Sequence, residues 1–145
     1  MDTFEHVLDA KGRAVLPTSL RPPFAEGAVV TLWDGPCLAV FTPAGFEDWR
    51  TFLAGQLPSS GFDNLGAHVR YVNARSAAFR PDGQGRFVLP DRLRHAAGIE
   101  RTITITGAGN RVELWNPASY PGGIDTEEME QNITFLQATY DLPRT

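Results

Sequence analysis

The sequence predicts an α+β protein made of two similar halves that pack into one domain with pseudo-two-fold symmetry. The first observation is a repeat: the segment DAKGRAVLP at 9–17 returns as DGQGRFVLP at 82–90. The second is that short β-type runs flank both copies, which predicts strands in each half. The third is that apolar residues recur at helical spacing after each half, which predicts connecting and C-terminal helices.

The repeat extends beyond this motif. Residues 18–21 and 91–94 both end in Leu-Arg, and, with one residue added to the offset, VFTP at 40–43 falls on LWNP at 114–117. Unrelated segments would match at only about 5–7% of positions, given typical residue usage. We therefore infer two tandem repeats of one design.

The repeats divide the chain into four predicted units. These are a first repeat at 3–46, a helical connector at 47–75, a second repeat at 76–120, and a C-terminal helix with a tail at 121–145. A single repeat of this size buries too little surface to be strongly stable alone. We therefore expect the two repeats to share one core.

Each copy of the motif is predicted to form the tip of a β-hairpin. β-type runs at 4–8 and 13–16 flank the first copy, and runs at 78–79 and 86–89 flank the second. A turn between two such runs is the usual signature of a hairpin. The proline that ends each motif then closes the second strand and opens a short helical turn.

Glycine and aspartate give the motif its turn chemistry. Gly12 and Gly85 tolerate the positive φ that tight turns require. Asp9 and Asp82 can accept hydrogen bonds from backbone N–H groups of the turn. These four are the predicted turn residues.

Two further strands are predicted in each repeat. They lie at 29–33 and 38–41 in the first repeat, and at 102–106 and 112–115 in the second. The connections DGP and GAGN supply the Gly, Asn and Asp that hairpin turns need. The alternation TITIT at 102–106 indicates a strand with one buried face.

Three longer helices are also predicted. Thr42 is a good N-cap with Pro43 at the first helical position, and apolar residues then recur at helical spacing up to residue 57. A second helix is predicted to begin after Asp63 and to run to about Arg75. A last helix, at 126–140, opens with a capping-box-like pattern and carries an apolar stripe.

The composition argues against membrane, metal and disulfide chemistry. No apolar stretch is long enough to cross a bilayer, and the N-terminus lacks a basic-then-apolar signal pattern. Cys37 is the only cysteine, and the three histidines, His6, His68 and His95, lack the spacing of metal ligands. We therefore expect a soluble cytoplasmic protein with no metal, no cofactor and no membrane contact.

The sequence gives little support to an enzyme. Asp9 and Asp82 could be a carboxylate dyad, but hydrogen bonds from turn N–H groups or an arginine lower the pKa of an aspartate, which does not suit proton transfer. Ser76 and Ser119 have no histidine partner nearby in the sequence. We therefore expect no catalytic residue and no small-molecule substrate.

The net charge of −4 is unevenly distributed along the chain. Residues 1–73 carry 5 Lys/Arg and 8 Asp/Glu, residues 74–121 carry 7 and 4, and residues 122–145 carry 1 and 5. The acidic average argues against tight DNA binding without sequence preference, because that affinity comes mainly from phosphate neutralisation. The basic middle is compatible with a focused basic face, although charge alone favours an ordinary solvated surface.

Two arginines at matching sites of the repeats suit DNA recognition. A two-stranded β-ribbon fits the major groove, and arginine is shaped for bidentate contact with guanine or phosphate. Arg13 and Arg86 are therefore the candidate DNA-binding residues, with Lys11 and Gln84 beside them in the turns. The alternative, that aspartate and arginine pair within each turn and only hold its shape, is equally compatible with the spacing.

The doubled motif DxxGRxVLP, followed by ELW at 113–115, resembles the MraZ family of bacterial transcriptional regulators over nearly the whole chain. Each repeat of that family resembles the AbrB swapped-hairpin DNA-binding domain. The resemblance therefore implies a tandem AbrB-like swapped-hairpin β-barrel. It also implies a cytoplasmic, nucleoid-associated protein that assembles with itself into a ring of many subunits.

The same resemblance implies a partner and a target. The partner is double-stranded promoter DNA, bound at short direct repeats upstream of the division and cell-wall gene cluster. The family's motif residues fall on Asp9, Arg13, Asp82 and Arg86, and its lysine falls on Lys11. A ring would let several weak contacts act together and raise the avidity.

A rival hypothesis is an AbrB-like protein-interaction module, such as an antitoxin or a scaffold, that binds a protein partner. A toxin gene beside this gene would favour the module. Neighbouring genes for an rRNA methyltransferase and for division proteins would favour the regulator.

Overall fold

The computed structural model describes residues 3–33, 36–56 and 62–121, which form eight strands and three α-helices. The strands of the first half are β1 (Thr3–Val7), β2 (Arg13–Val15), β3 (Ala28–Trp33) and β4 (Cys37–Phe41). Those of the second half are β5 (Ser76–Phe79), β6 (Arg86–Val88), β7 (Thr102–Gly107) and β8 (Val112–Trp115). The helices are α1 (Pro43–Gly55), α2 (Phe62–Ala74) and α3 (Asp91–Ala96).

The strands of the two halves are interleaved in one antiparallel sheet. Its six strands lie in the order β1-β7-β8-β4-β3-β5, so every strand of the first half pairs with at least one strand of the second. The two remaining strands, β2 and β6, pair only with each other and form a separate antiparallel ribbon, which we call the ribbon. The α+β class and the sharing of one core by both halves are therefore confirmed.

Two hairpins have the pairing that the sequence predicts. Strand β3 pairs with β4, and β7 pairs with β8, each antiparallel and in continuous register. The turn residues 34 and 35 between β3 and β4 lie outside the described residues.

The prediction that each motif is a hairpin tip is wrong. The strands on either side of the first motif do not pair with each other, because β1 pairs with β7 in the sheet and β2 pairs with β6 in the ribbon. The same holds for the second motif, where β5 pairs with β3. Each motif is therefore a turn that carries the chain from the sheet to the ribbon.

The predicted closed barrel is also not found in the part of the chain that the structure describes. Strands β1 and β5 are the two edges of the six-stranded sheet, and the ribbon bonds to neither of them as a continuous ladder. The hydrogen-bonded strands therefore form an open sheet with a two-stranded ribbon packed on it.

The main core lies between the sheet and the ribbon. Ala14 and Phe87 point inward from the ribbon, and Phe87 stacks on Phe79 of β5 with ring centroids 4.5 Å apart. The inner face of the sheet contributes apolar side chains from β3, β4, β7 and β8: Val30, Leu38, Val40, Ile103, Ile105, Val112 and Leu114. This core fixes the ribbon against the sheet.

The opposite face of the sheet is covered by α1 and α2. Phe41 of β4 packs there against Phe46 and Trp49 of α1 and against Val72 of α2. Because neighbouring residues of a strand point to opposite faces, the ribbon and α1 lie on opposite sides of the sheet. The sheet therefore lies between the ribbon and α1, so a ligand bound to the outer face of the ribbon would not contact α1.

The helix predictions agree with the structure where it describes them. The hydroxyl of Thr42 accepts a hydrogen bond from the Gly45 N–H at 3.0 Å and caps α1, with Pro43 at the first helical position. Helix α2 begins at Phe62, slightly earlier than predicted. The short helix after the second motif ends before Gly98, which has a φ of +68°. The predicted helix at 126–140 lies outside the described residues.

Candidate nucleic-acid interface

The first motif turn, residues 9–13, is organised around one carboxylate. Oδ1 of Asp9 accepts the backbone N–H groups of Lys11 and Arg13, both at 2.9 Å. Its Oδ2 accepts the side-chain Nε of Arg13 at 2.6 Å. The Gly12 N–H donates to the Asp9 carbonyl at 3.0 Å, and Gly12 has a φ of +73°. One aspartate therefore holds both the backbone of the turn and the arginine that follows it.

The second motif turn, residues 82–86, has the same geometry. Oδ1 of Asp82 accepts the N–H groups of Gln84 and Arg86, both at 2.9 Å, and Oδ2 accepts Nε of Arg86 at 2.7 Å. Gly85 donates to the Asp82 carbonyl at 2.9 Å and has a φ of +77°. The two turns therefore repeat each other bond for bond.

These hydrogen bonds keep both aspartates ionised. At Asp9 the Arg13 backbone N–H is the largest cause, and it lowers the pKa below 3.8. At Asp82 the Arg86 backbone N–H, followed by its side chain, lowers the pKa from 3.8 to about 2. A lowered pKa stabilises the folded state above the unfolded pKa, and this stabilisation is lost as the pH falls through the folded pKa. The carboxylate of the second turn therefore keeps its bonds until the pH falls from 3.8 toward about 2.

The ribbon brings the two motif arginines onto one face. Its register pairs Arg13 with Val88 and Val15 with Arg86. Since the residues between them, Ala14 and Phe87, point into the core, these four side chains lie on the outer face of the ribbon. The two arginines are thus two residues apart along antiparallel strands, about 7 Å along the ribbon axis. Val15 and Val88 could not be identified from the sequence, because only the register of the ribbon places them beside the arginines.

Each arginine is oriented yet keeps hydrogen-bonding capacity. The side chains of Arg13 and Arg86 are 32% and 38% exposed. A guanidinium carries five N–H donors in a planar fork, so a carboxylate that takes the Nε donor does not exhaust it. The intraturn pair and a contact with an external acceptor are therefore compatible. Lys11 and Gln84 are exposed at the corresponding positions of the two turns.

Ser76 and Ser119 both make hydrogen bonds within the fold. The Ser76 hydroxyl donates to the Val72 carbonyl at 2.7 Å and accepts from the Thr31 hydroxyl at 2.9 Å, which ties β5 to α2 and β3. Ser119 lies in the turn after β8, where its N–H donates to the Asn116 carbonyl.

The three histidines lie on separate elements, with His6 on β1, His68 on α2 and His95 on α3. No cluster of three metal-ligating side chains occurs in 3–33, 36–56 or 62–121. Over the same ranges, no helix is both long enough and apolar enough to span a bilayer.

Comparison with known proteins places this geometry in a family. A family model described as "MraZ protein, putative antitoxin-like" matches residues 1–59 and 74–134, which covers both motif turns. The chain is 37% identical over 135 residues to a protein of Pediococcus pentosaceus, with 92% of this chain and 90% of the relative covered. It is 35% identical to a protein of Saccharopolyspora erythraea, with 88% of each chain covered.

A relative from Micrococcus luteus is 33% identical over 144 residues, which cover 98% of this chain and 95% of the relative. All three relatives carry the name "Transcriptional regulator MraZ". That name describes a regulator, which is not a class of enzyme. The family match over both halves and the identities over most of each relative show that this chain belongs to the MraZ family.

Proposed function

We propose that this chain is a sequence-specific DNA-binding transcriptional regulator that contacts promoter DNA through Arg13 and Arg86. The observation that carries the proposal is the presence of two equivalent arginines, each oriented by an aspartate, on the outer face of one two-stranded ribbon. The names of the relatives support the regulatory role. In this proposal Lys11 and Gln84 make the neighbouring contacts from the two turns.

The shape of the ribbon suits the major groove. That groove admits a two-stranded β-ribbon, and arginine makes a bidentate contact with O6 and N7 of guanine. An arginine that is already held by a carboxylate loses less side-chain entropy on binding, since its planar group is pre-oriented. The outward Val15 and Val88 are placed to contact thymine methyl groups, an apolar contact that also distinguishes bases.

The finer proposals follow the family resemblance. We propose that each repeat is an AbrB-like swapped hairpin, which the pairing of β1 with β7 and of β2 with β6 supports. The proposed units remain the repeats at 3–46 and 76–120, the connector at 47–75 and the tail at 121–145.

The proposed setting is cytoplasmic and nucleoid-associated. The target is the promoter of the division and cell-wall gene cluster, bound at direct repeats by a ring-like homo-oligomer. Assembly would let several ribbons engage at once, which compensates for a chain whose net charge of −4 weakens general attraction to phosphate.

A second candidate function is supported by the description of the family model, which includes the term antitoxin-like. In that case the ribbon or the sheet face would bind a protein. Purification of the chain together with the product of a neighbouring gene, at a fixed ratio and without DNA, would favour this function.

The proposed function is tested by binding to the DNA upstream of the chain's own gene. A labelled upstream duplex and a scrambled duplex of equal length are titrated with the full chain across a salt series. We expect affinity for the upstream duplex to exceed that for the scrambled duplex by about 10³-fold or more at physiological salt. Equal affinities that both disappear as the salt concentration rises would contradict the proposal, because they indicate only non-specific phosphate attraction.

A further inference from the structure

Each motif turn is contacted by an arginine from the other half of the chain. Nε of Arg21 donates to the Leu16 carbonyl at 2.6 Å, and the guanidinium lies directly over Gly85 of the second motif turn. A Cβ atom at Gly85 would lie 2.9 Å from Cζ of Arg21. In the reciprocal place, Nη1 of Arg94 lies 3.4 Å from the Cβ position of Gly12 in the first motif turn.

Backbone hydrogen bonds reinforce this exchange between the halves. The Leu16 N–H donates to the Gly85 carbonyl at 2.8 Å, and the Leu89 N–H donates to the Gly12 carbonyl at 3.2 Å. Leu16 therefore bonds to the second motif turn through its N–H and to Arg21 through its carbonyl. The end of each ribbon strand and the arginine that follows it therefore pack against the motif turn of the other half.

The missing side chain of Gly85 leaves the space that the Arg21 guanidinium fills, whereas a Cβ at Gly12 would make only an ordinary contact with Arg94. Gly12 and Gly85 are both buried although they belong to surface turns. The arginines are partly buried as well, and the Arg94 side chain is 22% exposed. Because both arginines are partly buried, their loss removes packing contacts as well as charge.

We propose that Arg21 and Arg94 are positioning residues exchanged between the repeats: each holds the motif turn of the other repeat in the conformation that presents its DNA-binding arginine. Arg21 acts on the second turn and hence on Arg86. Arg94 acts on the first turn and hence on Arg13. This inference rests on the proposed function for its consequence in DNA binding, and on the contacts alone for its effect on the turns.

The two contacts differ in strength. Nε of Arg21 is bonded to the Leu16 carbonyl, whereas Nε of Arg94 is buried and has no hydrogen-bond partner within the described ranges. The space over Gly85 is also filled more tightly than the space over Gly12. Loss of Arg21 should therefore disturb the second motif turn more than loss of Arg94 disturbs the first.

The test is hydrogen exchange of the full chain, resolved to single amides, in Arg21→Ala and Arg94→Ala. The reporter amides are those of Gly85 and Arg86 in the second turn and of Gly12 and Arg13 in the first, which all donate to the motif aspartates. In Arg21→Ala we expect about tenfold faster exchange in the second turn and no change in the first, as loss of one hydrogen bond would give. Arg94→Ala should show the reverse pattern, with a smaller increase.

A conservative variant separates a positioning role from a general loss of stability. Arg21→Lys keeps the charge and the aliphatic stem but loses the planar Nε donor. We expect the increase in exchange to stay confined to the second turn in this variant. Faster exchange in the motif turn of the substituted arginine's own half would overturn the proposal. So would an equal increase in both turns and in β7 for all three variants.

DNA binding supplies an independent readout. Arg21→Ala should weaken binding to the upstream duplex about tenfold in the wild-type chain and should have no further effect in Arg86→Ala, because a positioning residue acts only through Arg86. If Arg21→Ala still lowers the salt slope by about 0.9 in the Arg86→Ala chain, Arg21 itself contacts a phosphate, and the assignment is overturned. If the wild-type chain shows no selective DNA binding, the proposed function fails, while the crossed exchange pattern still decides whether the arginines position the turns.

Discussion

Replacement of Arg13 and Arg86 together by alanine should strongly reduce selective binding to promoter DNA while the fold stays intact. A good bidentate contact with a base contributes about 1–3 kcal/mol of discrimination, so two such contacts together correspond to a loss of about 30-fold or more. The fold should survive because both side chains lie on the outer face of the ribbon, away from the core. Fluorescence anisotropy with labelled upstream and scrambled duplexes measures the loss.

Arg50→Ala is the matched control for Arg13→Ala, since each variant removes one positive charge. Arg50 has the same side-chain exposure as Arg13, 32%, and also pairs with a carboxylate on its own element, Glu47 at 3.1 Å. It lies on α1, on the opposite side of the sheet from the ribbon. Its loss should leave DNA affinity within about twofold, because it lies away from the ribbon and its exposed ion pair contributes little to the stability of the fold. Equal losses in Arg50→Ala and in Arg13→Ala would show that the arginines act only through net charge.

The single variants then distinguish two kinds of contact. If Arg13 binds a base, its loss should relax the preference at one position of the operator. If it binds a phosphate, its loss should weaken all duplexes alike and reduce the salt slope. Unchanged affinity in the double variant would exclude the motif arginines as the DNA-binding residues.

Gly85→Ala should cause the largest loss of stability among the motif substitutions. An alanine at a φ of +77° costs about 1–2 kcal/mol in backbone strain. The added Cβ would also lie 2.8 Å from the Leu16 carbonyl oxygen and would overlap Arg21. Overpacking of this kind typically adds 1–3 kcal/mol. We therefore expect a total loss of about 2–5 kcal/mol in the free energy of unfolding, measured with urea.

The other motif glycines provide graded controls for this substitution. Gly12→Ala carries the same backbone strain at a φ of +73°, but its nearest new contact is Arg94 Nη1 at an ordinary 3.4 Å. It should lose only about 1–2 kcal/mol. A Cβ at Gly83 would meet nothing within 4 Å, so Gly83→Ala should stay within about 0.5 kcal/mol of wild type. Equal losses at all three positions would contradict the packing described for the second turn.

The local elements could be predicted from the sequence, whereas their partners could not. Alternation along TITIT identifies a strand with one buried face, and Thr42-Pro43 identifies the start of a helix, because both signals act within a few residues. The pairing of β1 with β7 joins segments about a hundred residues apart. It is decided by the burial of apolar faces from both halves in one core, which no local pattern encodes. For that reason the local sequence predicts a hairpin tip at each motif, whereas in the structure each motif carries the chain from the sheet to the ribbon.

The candidate site shows the same division between local and long-range information. The aspartate, the glycine and the arginine of each turn follow from the repeated motif, since they interact within five residues. Leu20-Arg21 and Leu93-Arg94 are visible as repeated identities, yet their sequence gives no indication of what the arginines contact. Their partner turns lie in the opposite half of the chain, so the role appears only once the two halves are packed together.

The most direct measurement is photo-crosslinking of the full chain to its upstream DNA from two exposed positions. Val88 is 56% exposed on the outer face of the ribbon, and Phe52 is 63% exposed on α1 across the sheet. Each is replaced in turn by p-benzoylphenylalanine, which both exposed sites can accommodate. We expect crosslinks to the upstream duplex from position 88 and none from position 52. Crosslinks from position 52 with none from position 88 would rule out the ribbon as the DNA-binding surface and would assign DNA binding to the helical face.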